Sequence, residues 1–121
     1  MVDVRAVVVD DHADFRAAAS VLLDARHGFR MIDAVSTVAD ALRVLATVDV
    51  DLVLLDVHLP DIDGRRAAVL IRARHPQVKV VLCSTMDPRR IGPLPDDPGV
   101  IFVPKDELDA DALAVWLGHP T

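Results

Sequence analysis

Short runs of consecutive apolar residues alternate along the chain with stretches whose apolar residues recur every three or four positions. The continuous runs favour strands buried on both faces of a sheet, and the helical periodicity favours amphipathic helices. The predicted strands cover residues 4–9, 30–35, 52–56, 78–83 and 100–103. The predicted helices cover residues 13–26, from a cap at Ser36 or Thr37 to Ala46, from Gly64 to His75, and 107–117.

This alternation predicts an α/β fold in which a parallel sheet carries helices on both faces through right-handed crossovers. At 121 residues with 52% hydrophobic content, the chain fits a single domain over residues 1–121 with a substantial core. We find no internal repeat and no low-complexity segment that would indicate another architecture.

Residues 85–99 break the alternation between the fourth and fifth strands. Four prolines and two glycines leave no uninterrupted helical run longer than about one turn: Pro88, Gly92, Pro93, Pro95, Pro98 and Gly99. We therefore predict an irregular crossover, or a missing helix, at this position. A plain surface loop is the alternative.

Composition narrows the function classes. A formal net charge of −6 argues against direct nucleic-acid binding by this segment, because an acidic surface repels phosphates. Cys83 is the single cysteine, which excludes an intrachain disulfide and fits a reducing compartment. No apolar stretch reaches membrane-spanning length, and the first residues do not resemble a signal peptide. We therefore expect a cytoplasmic protein that does not bind a membrane.

Polar or charged side chains follow four of the five predicted strands. They are Asp10 and Asp11 after the first strand, Asp56 at the end of the third, Ser84 after the fourth and Lys105 after the fifth. Each aspartate alone is equally consistent with an ordinary turn. Because the carboxyl ends of parallel strands meet at one edge of the sheet, we expect these side chains to lie together.

Three carboxylates at one place repel each other, so some are protonated or a cation lies among them. A hard divalent ion such as Mg²⁺ takes oxygen ligands, including the backbone carbonyl of His58, whereas the five histidines show no spacing typical of soft-metal sites. Lys105 beside this cluster either balances charge or binds an anion such as a phosphoryl group. The hydroxyl of Ser84 or Thr85 can donate to that group, and an aspartate can accept it covalently.

Four segments carry a specific resemblance: VVVDDH, LVLLDVHLPDIDG, VVLCST and IFVPKD. In order and spacing they resemble the receiver domain of bacterial two-component response regulators over essentially the whole chain. In detail they resemble the branch whose members carry a C-terminal helix-turn-helix DNA-binding domain.

The resemblance implies a flavodoxin-like three-layer sandwich with a five-stranded parallel sheet of order 2-1-3-4-5. It implies that Asp56 accepts a phosphoryl group from a sensor histidine kinase. It also implies the following roles: Mg²⁺ ligands at Asp10, Asp11 and Asp56; phosphoryl binding by Lys105; the switch hydroxyl of Ser84; the aromatic switch position Phe102; and control of phosphoryl access at Thr85. Phe102 is equally consistent with an ordinary core residue.

The same resemblance implies a signalling domain that assists only its own phosphorylation and dephosphorylation, and a role in transcription regulation. The output is then a DNA-binding domain in a longer chain, or a separate partner if the receiver stands alone, and a homodimer stays open. Family members usually have a helix where residues 85–99 lie. That departure motivates the alternative of a binding module that works independently of phosphorylation through residues 85–99. A Mg²⁺-dependent phosphohydrolase is disfavoured, because His58 lies where such enzymes need a second catalytic acid.

Overall fold

Five parallel strands form one sheet in the computed structural model, which describes residues 3–118. The strands are β1 (Val4–Val9), β2 (Phe29–Val35), β3 (Leu52–Asp56), β4 (Lys79–Ser84) and β5 (Val100–Pro104), in the order β2-β1-β3-β4-β5. All pairings are parallel, and every residue of the central strand β3 is buried. The predicted fold class and strand order are therefore confirmed.

Helices cover both faces of the sheet. Successive side chains of a strand point to opposite faces, so each face carries apolar residues that helices can bury. The helices are α1 (Ala13–Leu22), α2 (Val38–Thr47), α3 (Gly64–Arg74) and α4 (Ala110–Trp116). One buried core joins the sheet to α2 and α3, through side chains such as Ala41 and Ile71. The other joins it to α1 and α4, through Ala19 and Leu113. No helix within residues 3–118 is long and apolar enough to cross a membrane.

Two predicted helix boundaries are wrong, and local capping explains both. The first helix ends at Leu22 instead of residue 26, because Asp24 accepts a hydrogen bond from the backbone N–H of Arg26 and starts a separate 3₁₀ turn. The last helix begins at Ala110 instead of residue 107, with Asp109 as its cap.

The crossover between β4 and β5 is irregular, as predicted, with only a 3₁₀ turn at Pro88–Arg90. It is nevertheless fastened to α3. Ile91 is buried in the core and its carbonyl accepts a hydrogen bond of 2.6 Å from Arg65. Arg72 forms an ion pair of 2.9 Å with Asp97. Two arginine side chains of α3 thus hold the crossover against that helix.

The start of α3 packs directly on the backbone that carries Asp56. The N–H of Gly64 donates to the carbonyl of Val57 at 2.8 Å. A Cβ atom on Gly64 would collide with the carbonyl oxygen of Asp56 and would lie 2.7 Å from the Cα of Val57. Only glycine permits this approach without a backbone shift, so the end of β3 and the start of α3 have a fixed separation.

We expect Gly64→Ala to lower the free energy of unfolding by about 1–3 kcal/mol, because the added methyl group meets backbone that cannot rotate away. The control is Val69→Ala on the exposed face of the same helix, which should change stability by less than about 0.5 kcal/mol. Urea unfolding of both variants measures the difference. Equal stability of the two variants would contradict the tight packing at Gly64.

Candidate functional site

The carboxyl ends of β1, β3, β4 and β5 bring four of the predicted residues into one place. Asp10 directly follows β1, Asp56 ends β3, Ser84 ends β4, and Lys105 directly follows β5. The Nζ atom of Lys105 lies 2.7 Å from Oδ2 of Asp10 and 3.8 Å from Oδ2 of Asp56. The parallel topology alone assembles this group, since neighbouring strands end at matching registers.

Asp10 is the most deeply buried of the charged side chains. Its Oδ1 accepts a hydrogen bond of 2.8 Å from the backbone N–H of His12. Its Oδ2 is buried and makes no hydrogen bond within residues 3–118, although the ammonium of Lys105 lies 2.7 Å away. A buried carboxylate oxygen with unused acceptor capacity is costly, so this atom favours an additional cation.

Asp56 is 4% exposed, and its environment opposes its negative charge. Burial raises the pKa of the Asp56 carboxyl group, and the charge of Asp10 raises it further, while Lys105 acts in the opposite direction. The backbone N–H of His58 donates to Oδ1 of Asp56 at 3.3 Å. The ionised carboxylate is therefore held close to other negative charge with incomplete compensation.

A potential metal-binding group forms around these carboxylates. One ligand atom each from Asp10, Asp11, His12 and Asp56 lies within 4.8 Å of all the others. His12 is absent from the sequence-based set, because its spacing from other histidines gave no signal. Its Nδ1 lies 2.9 Å from Asp10 Oδ1 and 3.2 Å from Asp11 Oδ1, so it joins the two aspartates. The set is mostly carboxylate oxygen, which suits a hard divalent cation.

An open cavity of about 550 Å³ connects the carboxyl group of Asp56 with solvent. Its lining includes His58, Ser84, Thr85 and Lys105. Ser84 is buried and its Oγ accepts a hydrogen bond of 3.0 Å from the backbone N–H of Met86. Thr85 is exposed at the rim.

The structure does not test the roles predicted for His58 and Phe102. The imidazole of His58 contacts the sulfur of Met86 at 2.8 Å, and metal binding by the backbone carbonyl of His58 stays a prediction. Phe102 is half-buried, packs on the core beneath α2 and α3, and is not among the cavity-lining residues. Its role as a switch aromatic stays a prediction.

Phe15 of α1 also lines the cavity, and it packs against the core on the α1 and α4 side of the sheet. The centre of its ring lies 4.3 Å from Nζ of Lys105. Together the geometry offers a carboxylate nucleophile, a nearby ammonium and a hydroxyl group at one solvent-accessible cavity. These groups can bind a phosphoryl oxyanion and accept it covalently.

Comparisons with known proteins agree with this geometry. The response regulator receiver domain family model matches residues 6–91. A CheY-like response regulator receiver domain from Methylobacillus flagellatus has the same fold, with a TM-score of 0.76 and 26% identity over 96% of this chain and 97% of that one.

Two curated relatives are longer than this chain. A candidate transcriptional regulator of Pseudomonas aeruginosa is 30% identical over 120 residues, which cover 95% of this chain and 58% of that protein. A protein-glutamate methylesterase/protein-glutamine glutaminase of Oceanobacillus iheyensis is 36% identical over 81 residues, which cover 67% of this chain and 23% of that protein. The chain thus spans less than two thirds of the length of these relatives. Since the family model matches well over half of the chain, this protein belongs to the response regulator receiver domains.

Proposed function

We propose that residues 1–121 form a phosphoacceptor receiver that takes a phosphoryl group from a sensor histidine kinase onto Asp56. The observation that carries this proposal is the meeting of Asp56, Lys105 and Ser84 at one open cavity. A carboxylate oxygen of Asp56 attacks phosphorus while the bond between phosphorus and the kinase histidine nitrogen breaks. The product is an acyl phosphate, and the electron pair of the broken bond stays on the imidazole.

Lys105 and Ser84 supply the contacts for the added phosphoryl group. The ammonium of Lys105 is already within 4 Å of Asp56, so it can pair with a phosphoryl oxygen without a large movement. The Oγ of Ser84 accepts from Met86, which leaves its own hydrogen available for donation to that oxygen. Thr85 at the rim controls access of the phosphodonor, and Phe102 follows the displacement of the Ser84 hydroxyl.

The acidic cluster fits Mg²⁺. The Oδ2 of Asp10 is buried and pairs with Lys105 but accepts no hydrogen bond within residues 3–118, and this atom and the compact carboxylate set support the ion. Asp10, Asp11 and Asp56 would hold it, with the backbone carbonyl of His58 as a further ligand. When bound, Mg²⁺ neutralises charge on the transferred phosphoryl group.

The partners follow from the same proposal. A sensor histidine kinase supplies the phosphoryl group, and a DNA-binding output domain in a longer chain receives the signal, as the similarity to a candidate transcriptional regulator suggests. The net charge of −6 disfavours direct contact of the receiver with nucleic acid, and a homodimer stays an open prediction. The catalytic work of the domain is limited to its own phosphorylation and dephosphorylation.

A second candidate function is a partner surface that works without phosphorylation. Residues 85–99 contain no α-helix, and Leu94 is 43% exposed. Val69 of α3 is 56% exposed, and both side chains line one depression of about 380 Å³ together with Pro93 and Pro95. An apolar surface already present in the unphosphorylated protein favours constitutive binding.

Incubation with Mg²⁺ and a small phosphodonor such as acetyl phosphate should add one phosphate to the wild type. The Asp56→Asn variant should gain no phosphate, because its side-chain amide is not a nucleophile toward phosphorus. Intact-mass spectrometry checks both, and Asp33→Asn on the exposed part of β2 is the matched control that should be modified like the wild type. An unmodified wild type under these conditions would refute the proposal.

In metal-free buffer near neutral pH, Asp56→Asn should be more stable than the wild type. The pKa of Asp56 is raised in the folded protein, so above its unfolded pKa the ionised group opposes folding, and the amide removes that charge. Saturating Mg²⁺ should stabilise the wild type more than Asp56→Asn. Urea unfolding with EDTA and with Mg²⁺ measures both effects. A variant that is less stable in EDTA, or equal gains with Mg²⁺, would contradict the charge assignment.

Hydrogen exchange of residues 85–99 separates the two candidate functions. Addition of Mg²⁺ and beryllium fluoride, a phosphoryl mimic, should change protection in this segment by about 5-fold or more, the usual scale of coupling between sites. Asp56→Asn under the same conditions provides the baseline. Unchanged protection in a wild type that binds the mimic would favour the constitutive surface over the switch.

A further inference from the structure

Within residues 3–118, the ammonium of Lys105 lies near two carboxylates and one aromatic ring. Asp10 and Asp56 approach the ammonium from the ends of β1 and β3. The centre of the Phe15 ring lies 4.3 Å from Nζ of Lys105. The side chain of Lys105 is only 12% exposed, so the ring contact is largely shielded from water. A cation over an aromatic face is attracted by the ring quadrupole, and more strongly when water is excluded.

The local structure fixes the ring in this position. Phe15 is in the first turn of α1, which begins four residues after the end of β1 at Val9. Its neighbour Arg16 donates a hydrogen bond of 2.8 Å to the backbone carbonyl of Asp10. This hydrogen bond holds the first turn of α1 against the end of β1. The ring of Phe15 and the carboxylate of Asp10 therefore both contact the ammonium of Lys105.

A neutral ring has an advantage over another acidic side chain at this position. The site already contains three carboxylates against one ammonium, and a further negative charge near Lys105 would repel an incoming phosphoryl group. An aliphatic side chain would exclude water but would not attract the cation. The aromatic ring holds the ammonium without competing for the anion.

We infer that Phe15 is the positioning residue for Lys105, and that its ring holds the ammonium toward the phosphoryl group on Asp56. The inference rests on the proposed phosphoryl transfer and adds a residue from α1 to it. Phe15 acts on the phosphoryl group only through Lys105, so its effect depends on the electron density of the ring as well as on its size.

A fluorination series tests this dependence, because added fluorine weakens the ring quadrupole at nearly constant shape. Phe15 is replaced by mono-, di- and trifluorophenylalanine, and the rate of phosphorylation by acetyl phosphate and the Kd for beryllium fluoride in Mg²⁺ are measured. We expect a graded loss that reaches about 3- to 10-fold with three fluorines. The same replacement at Phe29, a fully buried residue of the α1 and α4 core, should leave both values unchanged.

Conservative variants and a contact readout complete the test. Phe15→Tyr should retain the wild-type values, whereas Phe15→Leu should match the trifluorinated protein. The ring-current shift of the Lys105 Cε protons, measured by NMR, should be present in the wild type and absent in Phe15→Leu.

Two outcomes would overturn the inference: a flat fluorination series in a protein that is phosphorylated normally, or no ring-current shift in the wild type. A wild type that shows the ring-current shift but accepts no phosphate refutes the proposed function, and with it the role of Phe15. The two failures are therefore distinguishable.

Discussion

The shortage of positive charge around two buried carboxylates is the constraint on which the site depends. Asp10 and Asp56 both form ion pairs with Lys105, and Asp11 lies close by at the surface. Burial and the charge of Asp10 raise the pKa of Asp56, so folding makes its ionised form less favourable than it is in the unfolded chain. A bound cation would relieve the repulsion, and in the proposed function a phosphoryl group on Asp56 would offer Lys105 a new partner. The same charge imbalance would thus favour binding of a cation and would favour a change in the contacts of Lys105 when a phosphoryl group is added.

The fold maintains this imbalance by fixing the backbone around Asp56 on two sides. The N–H of Val57 donates to the carbonyl of Cys83 at 2.9 Å, which extends the pairing of β3 with β4 beyond Asp56. On the other side, the N–H of Gly64 donates to Val57, and the absence of a Cβ lets α3 contact the same backbone. The Asp56 carboxylate therefore cannot retreat from Asp10 by a small backbone shift, and the repulsion is not relieved by local relaxation.

The sequence was sufficient to predict the sheet and the convergence of Asp10, Asp56, Ser84 and Lys105, because buried parallel strands need continuous apolar runs and parallel topology aligns their ends. The sequence did not predict features that depend on a single side-chain contact, such as where a helix ends or which side chain lies beside Lys105. Asp24 and Asp109 shorten the first and last helices through capping hydrogen bonds that periodicity does not report. Phe15 has the spacing of a core residue, and only the tertiary structure places its ring beside the ammonium of a residue 90 positions away. The spacing of His12 gave no signal for the same reason, since its partners are set by the turn after β1.

The irregular crossover changes how a signal can leave the site. Ser84 is joined through the N–H of Met86 to the first residues of the segment, and Ile91 inserts into the core on the α3 side. A movement of the Ser84 hydroxyl toward a phosphoryl group would break the hydrogen bond to Met86 and alter the start of a segment that has no internal helix to absorb the change. The far end is held by Arg72, whose guanidinium binds Asp97 and the carbonyl of Val78. Such a displacement would be taken up mainly between Met86 and Ile91, because Ile91 is buried in the core and its carbonyl accepts a hydrogen bond from Arg65. A regular helix would move as a rigid body, whereas in the proposed switch this segment would transmit the change as a local rearrangement against α3.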